Sequence, residues 1–202
     1  MGYDKDFYKA YNSYLDEPTV RTAHDWIFRI ASLNPDFNNV VDFGCGQFNE
    51  FFVHGRPERY VGLDISASSQ DDKRKIIQAD YRNAKNLAEL IRPETPTAFV
   101  SLFSTEITAS FKDNYSLYER IFRDIPTIRS GLVSGFYYVS KKNQNPVGET
   151  GSIQSYQTLE DIENTHSDTF EEKRIILPVP SKMFGKDVFE IWKFLQRRLN
   201  SS

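Results

Sequence analysis

Apolar residues along this chain switch between two periods, and the switches mark out its elements. EPTVRTAHDWIFRIASLNP carries Val20, Ala23, Ile27, Ile30 and Ala31 at helical spacing, so one face of that helix is apolar. Pro18 suits its first turn, and Asn34-Pro35 ends it. NVVDF (Asn39–Phe43) then reads as a buried strand, with a short helix over 48–54 stopping at Gly55-Arg56-Pro57. RYVGLDIS (59–66) and KIIQADYR (75–82) are two more strands, joined by a polar link with room for only a turn or two of helix. NAKNLAELI (83–91) is a helix with an asparagine cap, and TAFVSLFST (97–105) is a fourth strand.

A longer helix follows. Asp113 or Asn114 caps it, Tyr118, Ile121, Phe122 and Ile125 form its stripe, and Pro126 closes it. GLVSGFYYVS (131–140) is a fifth strand, and a long polar loop runs from 141 to 157. TLEDIENTH predicts a short helix. EEKRIILPVP and KDVFEIWKFLQ, on either side of 181–185, predict an antiparallel hairpin. Five alternations of strand and helix before a hairpin imply an α/β sheet with helices on both faces and its first five strands parallel. No repeat or Gly/Ser linker divides the 202 residues, so one domain is expected, a helical segment over 1–35 and a core over 39–202. Ligands of such sheets bind beyond the carboxyl ends of the strands, near the switch in strand order.

Composition narrows the classes of function. A net charge of −3 argues against a broad nucleic-acid surface, which needs a basic excess. The single cysteine excludes an internal disulfide and a Cys-rich metal cluster, and it fits a reducing compartment. The three histidines show no H-x-x-x-H spacing, so no metal site is expected. No apolar run approaches the roughly 20 residues of a membrane span. The first fifteen residues hold no apolar signal-like region, so a cytoplasmic location is expected. Sixteen Phe and eleven Tyr serve the core first, with Tyr also suited to a polar ligand site.

The candidate chemistry starts at VVDFGCGQFNEFF (40–52). Gly44 and Gly46 allow a tight turn just before a helix N-terminus, a place where backbone amides meet an anionic group. A dinucleotide fingerprint would need a third glycine at position 49, which is Asn49. Asp64 closes the second strand, where a carboxylate can accept from both hydroxyls of a ribose, and Asp80 closes the third, within reach of an adenine amine. Bland readings stand beside these: a solvated strand-end acid or cap at Asp64, a helix cap at Asp80, a purely structural turn acid at Asp42. Cys45 has no histidine near it in sequence to activate it as a nucleophile.

VVDFGCG, YVGLDIS and IIQADYR, in that order and spacing, resemble the first three motifs of the class I S-adenosylmethionine-dependent methyltransferases. The resemblance covers about residues 40–140. It implies a three-layer Rossmann-like fold with a mostly parallel seven-stranded sheet in the order 3-2-1-4-5-7-6, strand 7 antiparallel. It implies S-adenosyl-L-methionine as cofactor. Gly44 and Gly46 would lie under its methionine part, with Asp42 supporting the turn or meeting the amino group through it. Asp64 would take the ribose, Ile65 would cover the adenine, and Asp80 with the Tyr81 amide would read the adenine edge. The end of the fourth strand, around Leu102 and Phe103, would lie near the sulfonium, and Tyr11 of the N-terminal segment would meet the cofactor carboxylate, although its spacing also suits plain helix packing. The family often carries a third glycine where this chain has Phe48.

After the fourth strand, base-modifying members often carry N/D-P-P-Y/F. Here Ser104-Thr105-Glu106 stands instead, which weakens a nucleic-acid substrate. Ser104 and Glu106 are the candidate substrate residues, with Glu106 also the candidate base or, structurally, a helix cap. The expected activity is methyl transfer to a small molecule. A peptide or protein substrate suits a chain without a large inserted cap, and a binding or scaffold protein of the same fold suits Phe48.

Overall fold

The structure, a computed structural model, describes residues 13–46, 50–65, 69–70, 74–82, 87–91, 95–104, 111–138, 157–163, 165–179 and 188–198. Nine strands lie among them: β1 (Asn39–Phe43), β2 (Arg59–Asp64), β3 (Ser69–Gln70), β4 (Arg74–Gln78), β5 (Thr97–Leu102), β6 (Ile128–Tyr138), β7 (Gln157–Thr158), β8 (Phe170–Pro178) and β9 (Val188–Arg197). The helices are α1 (Pro18–Ser32), α2 (Glu50–Gly55), α3 (Leu87–Ile91), α4 (Phe111–Asp124) and α5 (Leu159–Glu163), with a 3-10 turn at Pro35–Asn38.

All nine strands form one sheet, in the order β3-β4-β2-β1-β5-β6-β9-β8, with β7 beside the end of β6. Setting aside the two-residue β3 and β7, the remaining strands, numbered in sequence, follow 3-2-1-4-5-7-6, as expected. β1 pairs in parallel with β2 (Val41↔Val61) and with β5 (Val41↔Phe99). β9 runs antiparallel to both β6 and β8. The order reverses between β1 and β5, which puts the switch point next to the glycine turn.

Period-two alternation sends successive side chains of each strand to opposite faces. Val40, Tyr60, Val100, Leu132 and Trp192 meet Ile27, Phe28 and Ala31 of α1 and Phe51 of α2 on one face. Val41, Phe43, Leu63, Phe99 and Val133 meet Leu87 of α3, Tyr118 and Phe122 of α4 and Ile162 of α5 on the other. Each fully buried ring or aliphatic side chain contributes about 1.5–3 kcal/mol by leaving water. β8 forms one edge, where Glu171, Glu172, Lys173 and Arg174 discourage pairing with another chain.

Several expectations are corrected. The link after β2, with room for a turn or two of helix, carries the two-residue β3 antiparallel to β4, and its residues 66–68 and 71–73 lie outside the described residues. α4 begins at Phe111, so Asp113 and Asn114 lie inside its first turn and do not cap it. β6 begins at Ile128, ahead of the glycine expected to open it. α1 is rotated relative to its predicted stripe: His24 and Phe28 face inward, while Ile30 is 46% exposed. The inward face is the one that meets a polar group on β9, which periodicity in α1 cannot report.

Candidate functional site

The site is built where β1, β2, β4 and β5 end. Beyond Phe43, Gly44 takes φ +72° and Gly46 takes φ +57°, a region that costs an L side chain about 1–2 kcal/mol. The turn folds back over β2, with the Gly44 amide donating to the Leu63 carbonyl at 2.7 Å. The Gly46 amide donates to Asp64 Oδ2 at 2.9 Å. The acid at the end of β2 and the glycine turn after β1 therefore form one unit.

The two glycines serve different ends. A Cβ on Gly44 would fall 1.8 Å from Ser104 Oγ, so its bare backbone makes room for a protein side chain. Among the described residues, a Cβ on Gly46 would meet nothing within 4 Å. The open space belongs to Gly46, whereas the sequence suggested that both glycines admit a ligand. Ser104 follows β5, and its Oγ lies 3.1 Å from Tyr81 Oη. Tyr81 is buried, with its ring packed on Phe43.

Asp64 is 8% exposed. Ile65, next in the chain, is 63% exposed, a large apolar side chain facing solvent beside that acid. Asp80 lies exposed after β4, and its Oδ1 accepts from the Arg82 amide at 3.0 Å, an Asx turn. Leu102 is half-buried at the end of β5. Asp42 is buried beneath the turn, where its Oδ2 accepts from Tyr60 Oη at 2.7 Å. Tyr11 and Glu106, like Phe48, lie outside the described residues.

Cys45 points back over β2, since a Cβ on Gly62 would fall 2.5 Å from its Sγ. Burial first, then the Asp42 and Asp64 carboxylates, push its thiol far above the usual range. A thiol so disfavoured as thiolate is no nucleophile. Burial and Asp42 likewise hold the Tyr60 phenol protonated. Among the described residues no group of three or more His, Cys, Asp or Glu side chains is placed to hold a metal ion. No helix among them is long and apolar enough to cross a membrane.

Sequence reasoning missed two features near these strand ends. Phe103 takes φ +52°, rare for a bulky residue, right after β5. Glu190 is completely buried on β9 among aromatic rings of the α1 face. The signal for the second was a carboxylate inside the apolar run VFEIWKF.

No family model matches the chain, and no curated protein matches it. Solved structures do. A SAM-dependent methyltransferase from Anabaena variabilis superposes with a TM-score of 0.55 at 14% identity, over 96% of this chain and 93% of that one. The cyclopropane synthase MmaA2 from Mycobacterium tuberculosis gives 0.60 at 12%, over 96% and 94%. A geranyl diphosphate methyltransferase, solved with its substrate and sinefungin, gives 0.60 at 11%, over 89% and 78%. The fold is that of the class I SAM-dependent methyltransferases. In this methyltransferase fold the glycine turn, Asp64 and Ser104 share one edge of the sheet, at the switch in strand order.

Proposed function

We propose that this protein is an S-adenosylmethionine-dependent methyltransferase whose acceptor is a small molecule. The observation that carries the reading is the joining of Gly46 and Asp64: a carboxylate at the end of β2 bonded to an open, positive-φ glycine amide beside the switch point. The residues suit the cofactor. Gly46 faces open space, Asp64 offers a carboxylate at the depth a ribose needs, and Ile65 offers an apolar surface for a purine. Asp80 would accept from the adenine amine, and Tyr81 with Ser104 would form the floor beneath the amino-acid part.

The bound cofactor supplies an activated methyl group on a sulfonium. The chain binds, orients and excludes water. Leu102 and Phe103 close the strand end with apolar surface, which favours a dry reaction zone. A net charge of −3 disfavours nucleic acid as acceptor, although small-RNA methyltransferases share the fold. The small-molecule choice has support from a neighbour that is a geranyl diphosphate methyltransferase.

Calorimetry with S-adenosylmethionine and S-adenosylhomocysteine tests cofactor binding. Failure to bind either at about millimolar concentration, −4 kcal/mol on the affinity scale, ends the enzyme reading. Tritiated-methyl transfer to cell extract, separated into metabolite and protein fractions, tests the acceptor class. Label confined to the protein fraction would replace the small-molecule acceptor with a protein one.

A further inference from the structure

A buried polar cluster lies beside the strand ends, outside the glycine turn and Asp64. Glu190 is 0% exposed, and its register partner on β6 is Phe136. Alternation along β9 and β6 turns Glu190, Trp192 and Ser134 toward α1. Three groups converge on the carboxylate. Tyr14 Oη donates to Oε2, Trp192 Nε1 donates to Oε1, and His24 Nε2 lies 2.7 Å from Oε1.

Two buried atoms in this cluster lack an aligned hydrogen bond. His24 Nε2 is close to Glu190 but out of line, and Ser134 Oγ has no partner among the described residues. Interiors leave few such atoms, and each calls for a ligand, a water or a chemical role. The cluster adjoins the expected methyl-transfer zone. The His24 ring is 6.3 Å from that of Phe103 and 4.9 Å from that of Trp192. Ser134 is the register partner of Leu102, and its carbonyl accepts from the Phe103 amide at 3.0 Å. The positive φ of Phe103 stores backbone strain at this point, a habit of functional sites.

We propose that His24, held by Glu190, takes the proton from an acceptor that presents a neutral hydroxyl, with the Ser134 hydroxyl positioning that group. The proposal rests on the methyltransferase reading above. An imidazole nitrogen 2.7 Å from a carboxylate oxygen carries hydrogen, because a bare, partly negative nitrogen at that distance is repelled by the carboxylate charge even when out of line. Nδ1 is then the basic nitrogen. A neutral amine attacks a methyl sulfonium with its own lone pair, whereas a hydroxyl gains from a base as it attacks. In the step, the acceptor O–H breaks and its proton goes to Nδ1. The acceptor oxygen bonds to the methyl carbon as the sulfonium C–S bond breaks, and that electron pair stays on sulfur. The imidazolium forms beside Glu190. Tyr14, the other titratable group facing this pair, is held protonated by burial and by Glu190 and adds a donor, not a charge. Asp25, beside His24 on α1, turns outward to pair with His54 at 3.2 Å.

Nitrogen-15 NMR of histidine-labelled protein, with and without S-adenosylhomocysteine, tests the arrangement without turnover. The three histidines are assigned through His54→Gln and His166→Gln. The expected result is His24 with its hydrogen on Nε2 and a bare Nδ1. Glu190→Gln is expected to weaken that preference, so that the two tautomers mix. Hydrogen on Nδ1 in the unsubstituted protein, or a tautomer unchanged by Glu190→Gln, overturns the proposal. Tritiated-methyl transfer to deproteinised cell extract tests the role. His24→Gln and Ser134→Ala keep cofactor affinity, and His24→Gln loses about 100-fold in rate. Transfer at the unchanged rate, transfer to nitrogen only, or no transfer despite cofactor binding overturns the proposal. Absence of cofactor binding strikes the methyltransferase reading itself.

Discussion

Replacing Gly44 with alanine isolates the contact that joins β1 to β5. Its Cβ would sit 1.8 Å from Ser104 Oγ and 2.5 Å from Ser104 Cβ, at a backbone φ of +72°. The left-handed conformation costs alanine about 1–2 kcal/mol. The overlap forces Ser104 and the end of β5 to shift, an overpacking cost of about 1–3 kcal/mol. The Ser104–Tyr81 hydrogen bond is then lost as well, about 1 kcal/mol. Together these come to about 3–6 kcal/mol, a large part of the roughly 5–15 kcal/mol that holds a domain folded. Gly46→Ala meets the same backbone penalty with nothing within 4 Å, so it should cost only about 1–2 kcal/mol. Urea unfolding of both variants, and of Gly44→Ala combined with Ser104→Gly, separates the terms. The second substitution should recover the steric part and leave the backbone part. If Gly44→Ala costs no more than Gly46→Ala, Ser104 does not sit over the glycine and the account of the turn is wrong.

Asp64→Asn keeps an oxygen to accept the Gly46 amide, so stability should change little, while affinity for S-adenosylhomocysteine falls about 10- to 100-fold by calorimetry. The fold should weaken in alkali. The Cys45 thiol is raised, so the unfolded chain releases its proton first, and stability present below about pH 8.5 is lost as pH climbs above it, by up to about 1.4 kcal/mol per pH unit. Tyr14, Tyr60 and Tyr115, all raised, steepen the loss above about pH 10. Urea midpoints across pH should show this, and Cys45→Ala should flatten the first part of the fall. Arg197→Ala should cost about 1.5–3 kcal/mol in the same assay, because the guanidinium donates to the carbonyls of Phe122 in the last turn of α4, of Ile125 just past it and of Ile128 at the start of β6.

The order of elements was readable from the chain because each element buries its own apolar residues at its own period. Val40 and Val41 signal a strand buried on both faces, and Tyr118, Ile121 and Phe122 signal a helix with one buried face. The glycine turn and Asp64 were readable too, since a positive φ and a strand-end carboxylate are properties of single residues. The structure decided whatever depends on a partner far along the chain. Gly44 is bare because of Ser104 just past another strand, and the inward face of α1 is chosen by Glu190, which lies 166 residues beyond His24. Local periodicity carries no record of such pairs, because their energy exists only once the sheet has brought distant strands side by side.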